Sequence, residues 1–150
     1  MSDQQQRKAA VDPTQSAIVQ APAGSGKTTL LVERYLALLN QVEAPEEILA
    51  MTFTRKAAAE MRSRILRFFD PEYQPKAHES AAAQRALEVS ERVRLWRLRE
   101  NPDRLMIRTI DSFSHWLVRA MPVASRLGPV PQPVDDARAL YRRAARRVIE

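Results

Sequence analysis

The sequence predicts an α/β fold in which a parallel sheet carries helices on both of its faces. Three times along the chain, a short apolar segment is followed by a junction of small or hydroxyl-bearing residues and then by an amphipathic segment. Strands that alternate with helices in this way form parallel sheets. The 150 residues suffice for one domain with a buried core. Three strands leave the sheet incomplete as given, with an exposed edge.

The three strand–helix units follow one another in a simple order. The predicted strands cover residues 17–19, 47–54 and 105–110, and the helices after them cover about 27–39, 55–69 and 112–121. Asp111 stands where an N-cap would begin the third helix. Because ligands collect at the carboxyl ends of parallel strands, we expect all three junctions to face one cleft.

One segment interrupts this alternation. Residues 70–76 contain Pro71 and Pro75 and are expected to form a loop. Residues 79–100 are expected to form a long charged helix outside the sheet, within a helical insertion that covers about 76–104.

The last part of the chain has a different character. Prolines recur over residues 122–133, which predicts a loop, and residues 135–149 predict an arginine-rich helix. We therefore expect a first domain over residues 1–121 and the start of a helical accessory subdomain over residues 122–150.

Composition excludes several classes of protein. The absence of cysteine excludes disulfides, thiolate metal sites and cysteine nucleophiles. No apolar run is long enough to span a bilayer, and the polar beginning of the chain lacks the apolar core of a signal peptide. We therefore expect a cytoplasmic protein without a membrane partner.

The charge is informative without being decisive. Of 24 basic residues 20 are arginine, against 18 acidic residues, which gives a net charge of +6. A basic excess favours a polyanionic partner. Many of these arginines alternate with glutamates along predicted helices, as on an ordinary solvated surface, so the charge alone leaves the partner open.

The most informative segment lies between the first predicted strand and its helix. It consists of Ala21, Pro22, Ala23, Gly24, Ser25, Gly26, Lys27 and Thr28, and it holds two of the three glycines of the chain. Glycine lets the backbone approach phosphate oxygens closely, and the start of a helix favours an anion. The segment is therefore predicted to be a phosphate-binding loop for a nucleoside triphosphate, although Ala21 stands where the general pattern has glycine.

Two residues of this loop carry the expected chemistry. Lys27 would reach the β- and γ-phosphates, and the Thr28 hydroxyl would hold Mg²⁺. Thr29 follows them at the start of the helix and completes the predicted ATP-binding set.

Taken together, four segments resemble the N-terminal part of the UvrD/RecB/AddA-type superfamily 1 DNA helicases. Gln6 stands where the family has its adenine-reading Q motif, with Gln5 as the next candidate. Residues 21–28 are similar to the family's Walker A form, which commonly begins with alanine. Residues 51–62 resemble motif Ia, and residues 109–113 resemble the Thr-Phe-His or Thr-Ile-His-Ser-Phe motif that follows.

The resemblance implies a set of contacts to single-stranded DNA. The residues concerned are Thr52, Phe53, Thr54, Thr109, Ser112 and Phe113. Phe53 on a predicted strand could equally be a core residue. Arg55 and Asp111 replace the asparagine and histidine common in the family, so their roles stay open, and a helix cap is the favoured role for Asp111.

The resemblance also implies a function. It indicates the N-terminal half of a RecA-like ATP-binding motor domain in a 3′–5′ DNA helicase or translocase of DNA repair or recombination, using ATP with Mg²⁺. Single-stranded DNA or DNA ends would be its partner, and details closer to RecB and AddA allow a nuclease domain and a second helicase–nuclease subunit. The 150 residues alone are expected to be inactive, because they lack the Mg²⁺-binding carboxylate and the arginine finger of such motors.

Two other functions fit some of these features. A standalone nucleotide- or DNA-binding module without turnover would share every motif. A small P-loop kinase would share the phosphate-binding loop but not the alanine-rich segment that follows Arg55.

Overall fold

The computed structural model describes residues 3–121 and 136–149. It divides into two units, of which the first ends at Ser112 and the second begins at Phe113. The helices are α1 (Asp3–Val11), α2 (Lys27–Leu39), α3 (Arg55–Leu66), α4 (Ser80–Leu95), α5 (Ile110–Ala120) and α6 (Arg138–Ile149). The strands are β1 (Ala50–Thr52) and β2 (Ile107–Thr109), and short 3₁₀ turns cover Pro45–Glu47, Arg67–Phe69, Ala77–Glu79 and Pro102–Arg104.

The sheet of the described residues has two parallel strands. Ala50 lies opposite Ile107, and Thr52 lies opposite Thr109. These strands fall within the second and third predicted strands and are shorter than predicted. The expected parallel pairing is therefore confirmed for this pair.

The prediction of a strand over residues 17–19 is wrong for this structure. Ile18 is fully exposed, and no segment of the described residues pairs with this part of the chain. A strand forms only where another strand satisfies its backbone N–H and C=O groups. Apolar residues alone do not supply that partner.

One core holds the first unit together. Leu36 and Leu39 of α2, Ile65 of α3 and Val89 of α4 are fully buried in one apolar cluster. α3 also packs against both strands, whereas α4 packs against α2. The inserted helix is therefore confirmed, and it extends the core from the side of α2.

Polar contacts fasten the insertion to the far end of α2. Arg92 Nη1 donates to the carbonyl oxygens of Asn40 at 3.2 Å and Val42 at 2.9 Å. Trp96 Nε1 donates to the Glu43 carbonyl oxygen at 3.1 Å. A cation near the last carbonyls of a helix is favourable, so these contacts hold the C-terminal end of α2 in place.

The start of α5 differs from the prediction. Asp111 lies in the first helical turn and is not the N-cap. Thr109 takes that place, because its Oγ1 accepts from the Ser112 N–H at 3.1 Å while Ser112 Oγ donates to the Thr109 carbonyl oxygen at 3.1 Å. The cap favoured for Asp111 is therefore wrong, since the helix begins one residue earlier, at Ile110.

The C-terminal predictions can be followed only in part. The loop expected over 122–133 and Asp135 lie outside the described residues, and the last helix begins at Arg138. Within the described ranges, no helix has the length and apolar character needed to cross a membrane.

Candidate nucleotide-binding site

The loop before α2 has the backbone conformation that its glycines allow. Gly24 and Gly26 have φ values of 78° and 83°, in the left-handed region that other residues avoid. Gly26 is the N-cap of α2 and provides no side chain, so the first N–H groups of the helix lack a side-chain cap. Such N–H groups are available to an anion.

Lys27 lies inside this loop. Its Nζ donates to the carbonyl oxygens of Ala21 and Pro22, both at 2.6 Å. The ammonium group is thus held within the loop by neutral acceptors. A phosphate oxygen is a charged and stronger acceptor, so a bound triphosphate would compete for this cation.

Thr28 and Thr29 follow in the first turn of α2. The Thr28 side chain is exposed, whereas Thr29 is half-buried. Mg²⁺ prefers oxygen ligands and commonly combines one or two protein oxygens with substrate phosphates and water. The Thr28 hydroxyl fits that requirement.

A cavity of about 370 Å³ connects α1 with the loop. Gln6 and Arg7 of α1 line it together with Gly26, Lys27 and the apolar residues around Ile18. Gln5 does not line this cavity. The structure therefore brings Gln6 to the predicted phosphate-binding loop and favours it over Gln5 as the adenine-contacting candidate.

Arg34 of α2 holds α1 in this place. Its Nη1 donates to the carbonyl oxygens of Ala10 at 2.7 Å and Asp12 at 2.9 Å, and its Nη2 donates to that of Gln15 at 2.7 Å. Hydrogen bonds from the Thr14 hydroxyl and N–H lower the pKa of the Asp12 carboxyl. Sequence reasoning missed Arg34, because no local pattern shows contacts that span about two dozen residues.

A second cavity lies at the carboxyl end of the sheet. It has a volume of about 570 Å³, and its polar lining comes from Arg55, Arg62, Asp103, Arg108, Thr109 and Ser112. We call it the arginine groove. Two predicted DNA-contacting residues, Thr109 and Ser112, line it, and three arginines make it basic.

The other predicted DNA-contacting residues of motif Ia lie outside the lining of the arginine groove. Thr54 is the N-cap of α3, with its Oγ1 accepting from the Ala57 N–H at 3.1 Å. Thr52 is half-buried at the end of β1. Phe53 is 89% exposed, so the alternative of a core residue is wrong for the described fold.

Arg62 and Arg108 were also missed by sequence reasoning. Arg62 Nη2 donates to the Ile107 carbonyl oxygen at 3.2 Å, and its Nη1 lies 3.6 Å from the Asp103 carboxylate. A signal existed, since Arg55 and Arg62 are seven residues apart and therefore share one face of α3.

Phe113 belongs to the second unit. There its ring stacks on that of Trp116, with centroids 5.7 Å apart and an interplanar angle of 19°.

Comparisons with known proteins agree with these features. The family model described as "UvrD/REP helicase N-terminal domain" matches residues 2–141. DNA helicase II of Escherichia coli is 55% identical over 62 residues, which are 40% of this chain and 8% of that protein. ATP-dependent DNA helicase UvrD1 of Mycobacterium leprae is 51% identical over 65 residues, 42% of this chain and 8% of that protein.

A third relative carries a different name. It is the first of the lettered subunits of the ATP-dependent helicase/nuclease of Ligilactobacillus salivarius, and it is 47% identical over 60 residues, which are 40% of this chain and 5% of that protein. The chain therefore matches only a small part of the length of each of these relatives. No solved structure gives a significant match.

Proposed function

Because the chain belongs to the UvrD/REP helicase N-terminal domain family, we propose that it is the ATP-binding and DNA-contacting segment of a 3′–5′ DNA helicase or translocase. The observation that carries this proposal is the loop before α2, where Lys27 Nζ lies 2.6 Å from the carbonyl oxygens of Ala21 and Pro22. The same family membership supports a RecA-like motor domain over residues 1–121 and an accessory subdomain over residues 122–150.

The nucleotide half of the proposal assigns a role to each part of the site. Residues 21–28 would surround the phosphates with N–H groups, and Lys27 would exchange its carbonyl partners for phosphate oxygens. Thr28 would hold Mg²⁺, with Thr29 beside it, and Gln6 would read adenine because an amide both donates and accepts.

The DNA half rests on the sheet edge. The exposed Phe53 ring can stack on a base or sugar, and the arginine groove can bind phosphates through its guanidinium groups. Thr52, Thr54, Thr109, Ser112 and Phe113 complete the proposed contact set. A hydroxyl that accepts a hydrogen bond in a helix cap keeps its proton free for donation to phosphate, so capping and DNA binding are compatible at Thr54 and Thr109.

The size of the matches shapes the rest of the proposal. The relatives are far longer than the matched segments, so we propose that these residues work within a longer motor and that the 150-residue segment alone does not hydrolyse ATP. The third relative is named as part of a helicase/nuclease. Its name favours a helicase–nuclease with a second subunit that acts on DNA ends in repair or recombination in the cytoplasm.

A standalone nucleotide- or DNA-binding module without turnover is the second candidate. One experiment separates the two functions. The native polypeptide would be sized in its source cell with an antibody to residues 1–150 and then purified for translocation assays on single-stranded DNA. A band much larger than 17.1 kDa with ATP-dependent 3′–5′ movement, abolished by Lys27→Ala, supports the motor. A band at 17.1 kDa without movement supports the module.

A further inference from the structure

The guanidinium of Arg7 reaches the phosphate-binding loop from α1. Arg7 Nη2 donates to the Ser25 carbonyl oxygen at 2.9 Å. Its Nη1 lies 3.6 Å from the place that a Cβ on Gly26 would occupy. One side chain therefore contacts both residues of the Ser25–Gly26 peptide.

The geometry of that peptide gives the contact a consequence. The described chain contains no cis peptide bond, and in a planar trans peptide the C=O and N–H groups point in opposite directions. Holding the Ser25 carbonyl oxygen on the Arg7 side therefore turns the Gly26 N–H to the other side. Gly26 is the N-cap of α2, so its N–H stands at the start of the helix where an anion is favoured.

The remaining bonds of the loop are weaker or temporary. The Ser25 N–H donates to the Pro22 carbonyl oxygen at a long 3.4 Å. The two bonds from Lys27 to Ala21 and Pro22 would be given up when Lys27 turns to a phosphate. The Arg7 bond involves neither Lys27 nor the carbonyls that it releases, so it can persist when the site is filled.

We propose that Arg7 is a positioning residue that orients the Ser25–Gly26 peptide for triphosphate binding. The proposal rests on the function proposed above for the loop. Since Arg7 follows Gln6 on α1, one helix both reads the base and sets the phosphate-binding backbone. Arg34, which fastens the end of α1 to α2, keeps that helix at its distance from the loop.

The first test needs no nucleotide. The chain has three glycines, so labelling with [¹⁵N]glycine gives three backbone amide signals, which the variants Gly24→Ala and Gly128→Ala assign by loss of a signal. We expect Arg7→Ala to shift or broaden the Gly26 signal, Arg7→Lys to change it less, and the control Lys8→Ala to leave it in place. A Gly26 signal that is the same in Arg7→Ala and in the unchanged chain would overturn the proposal.

The second test separates the phosphates from the base. Arg7→Ala is expected to weaken both MgATP and magnesium tripolyphosphate about tenfold, the usual effect of losing a charge-assisted hydrogen bond, whereas Gln6→Ala weakens only MgATP. An Arg7→Ala variant that loses MgATP affinity but binds tripolyphosphate normally would place Arg7 at the base and contradict the assignment.

Two further outcomes have a fixed meaning. If Arg7→Ala does not unfold cooperatively, Arg7→Gln takes its place, because it keeps a shorter neutral donor, and the same criteria apply. If the unchanged chain binds neither ligand, the proposed function fails, while the glycine spectrum still decides whether Arg7 orients the peptide.

Discussion

Thr52 of β1 and Thr109 of β2 stand opposite each other in the parallel pair. Both strands therefore leave the sheet at the same edge, and α3 and α5 begin there. Thr54 and Thr109 cap these two helices through their hydroxyl groups. Two helix starts beside three groove-lining arginines make this edge suited to an anionic chain.

Arg55 offers the cleanest test of this edge, because it lines the arginine groove and its side chain is exposed. We expect Arg55→Ala to weaken single-stranded DNA binding by roughly 1 kcal/mol and to reduce the salt slope of binding by about 1, as for the loss of one phosphate contact. Fluorescence anisotropy at several salt concentrations measures both.

The matched control for Arg55→Ala is Arg94→Ala. Arg94 is 77% exposed and pairs with Glu91 on the inserted helix, so its loss removes the same charge at a different place. Equal weakening by the two variants would mean that net charge, and not the arginine groove, determines DNA binding.

Glu79 predicts how stability depends on pH. The residue is 5% exposed. It accepts from the Tyr73 hydroxyl at 2.6 Å and the Lys76 N–H at 3.0 Å, and it pairs with Arg67. Burial by itself would raise the pKa of Glu79, but these hydrogen bonds and the charge of Arg67 outweigh it and hold the pKa below 4.5.

Because the folded pKa of Glu79 is depressed, its contribution is present above the unfolded pKa of about 4.5 and is lost as pH falls through the folded value. Glu79→Gln should lower the free energy of unfolding by about 1–3 kcal/mol at neutral pH and flatten its decline in acid. Urea unfolding across this range measures the effect, with the exposed Glu91→Gln as control. An acid decline of Glu79→Gln parallel to that of the unchanged chain would refute this account.

Tyr35 predicts a substitution that does no harm. It is 3% exposed, its hydroxyl has no hydrogen-bond partner among the described residues, and burial raises its pKa. Removing a buried, unsatisfied hydroxyl removes a desolvation cost, so Tyr35→Phe should leave the free energy of unfolding unchanged or raise it by up to about 1 kcal/mol.

Tyr73→Phe is the contrasting variant, since it removes the hydroxyl that donates to Glu79. Thermal or urea unfolding should show a loss of about 1 kcal/mol there. A similar loss in Tyr35→Phe would show that the Tyr35 hydroxyl does have a partner.

Local patterns predicted the helices well. The bounds of α2 agree with the prediction because a glycine N-cap and a regular apolar face define its start and extent. The α3 prediction included the 3₁₀ turn Arg67–Phe69, which continues the helix. The inserted helix was predicted for the same reason, from its spacing of apolar positions.

Features that depend on distant partners were predicted poorly. Residues 17–19 are apolar, but a strand requires a neighbouring strand to pair with. The contacts of Arg7 with Ser25 and of Arg34 with Gln15 cross 18 and 19 residues, and no sequence motif encodes them. The loop residues of the site could be predicted from their order alone, whereas the arginines that hold the loop and α1 in place required the structure.

The central claim is that the loop before α2 binds the phosphates of ATP through Lys27. Isothermal titration of the chain with MgATP tests it most directly, comparing the unchanged chain with Lys27→Ala and with Lys76→Ala, which removes an exposed lysine of the insertion. We predict binding that Lys27→Ala abolishes and Lys76→Ala leaves intact. Tight MgATP binding retained in Lys27→Ala would contradict the assignment of the loop.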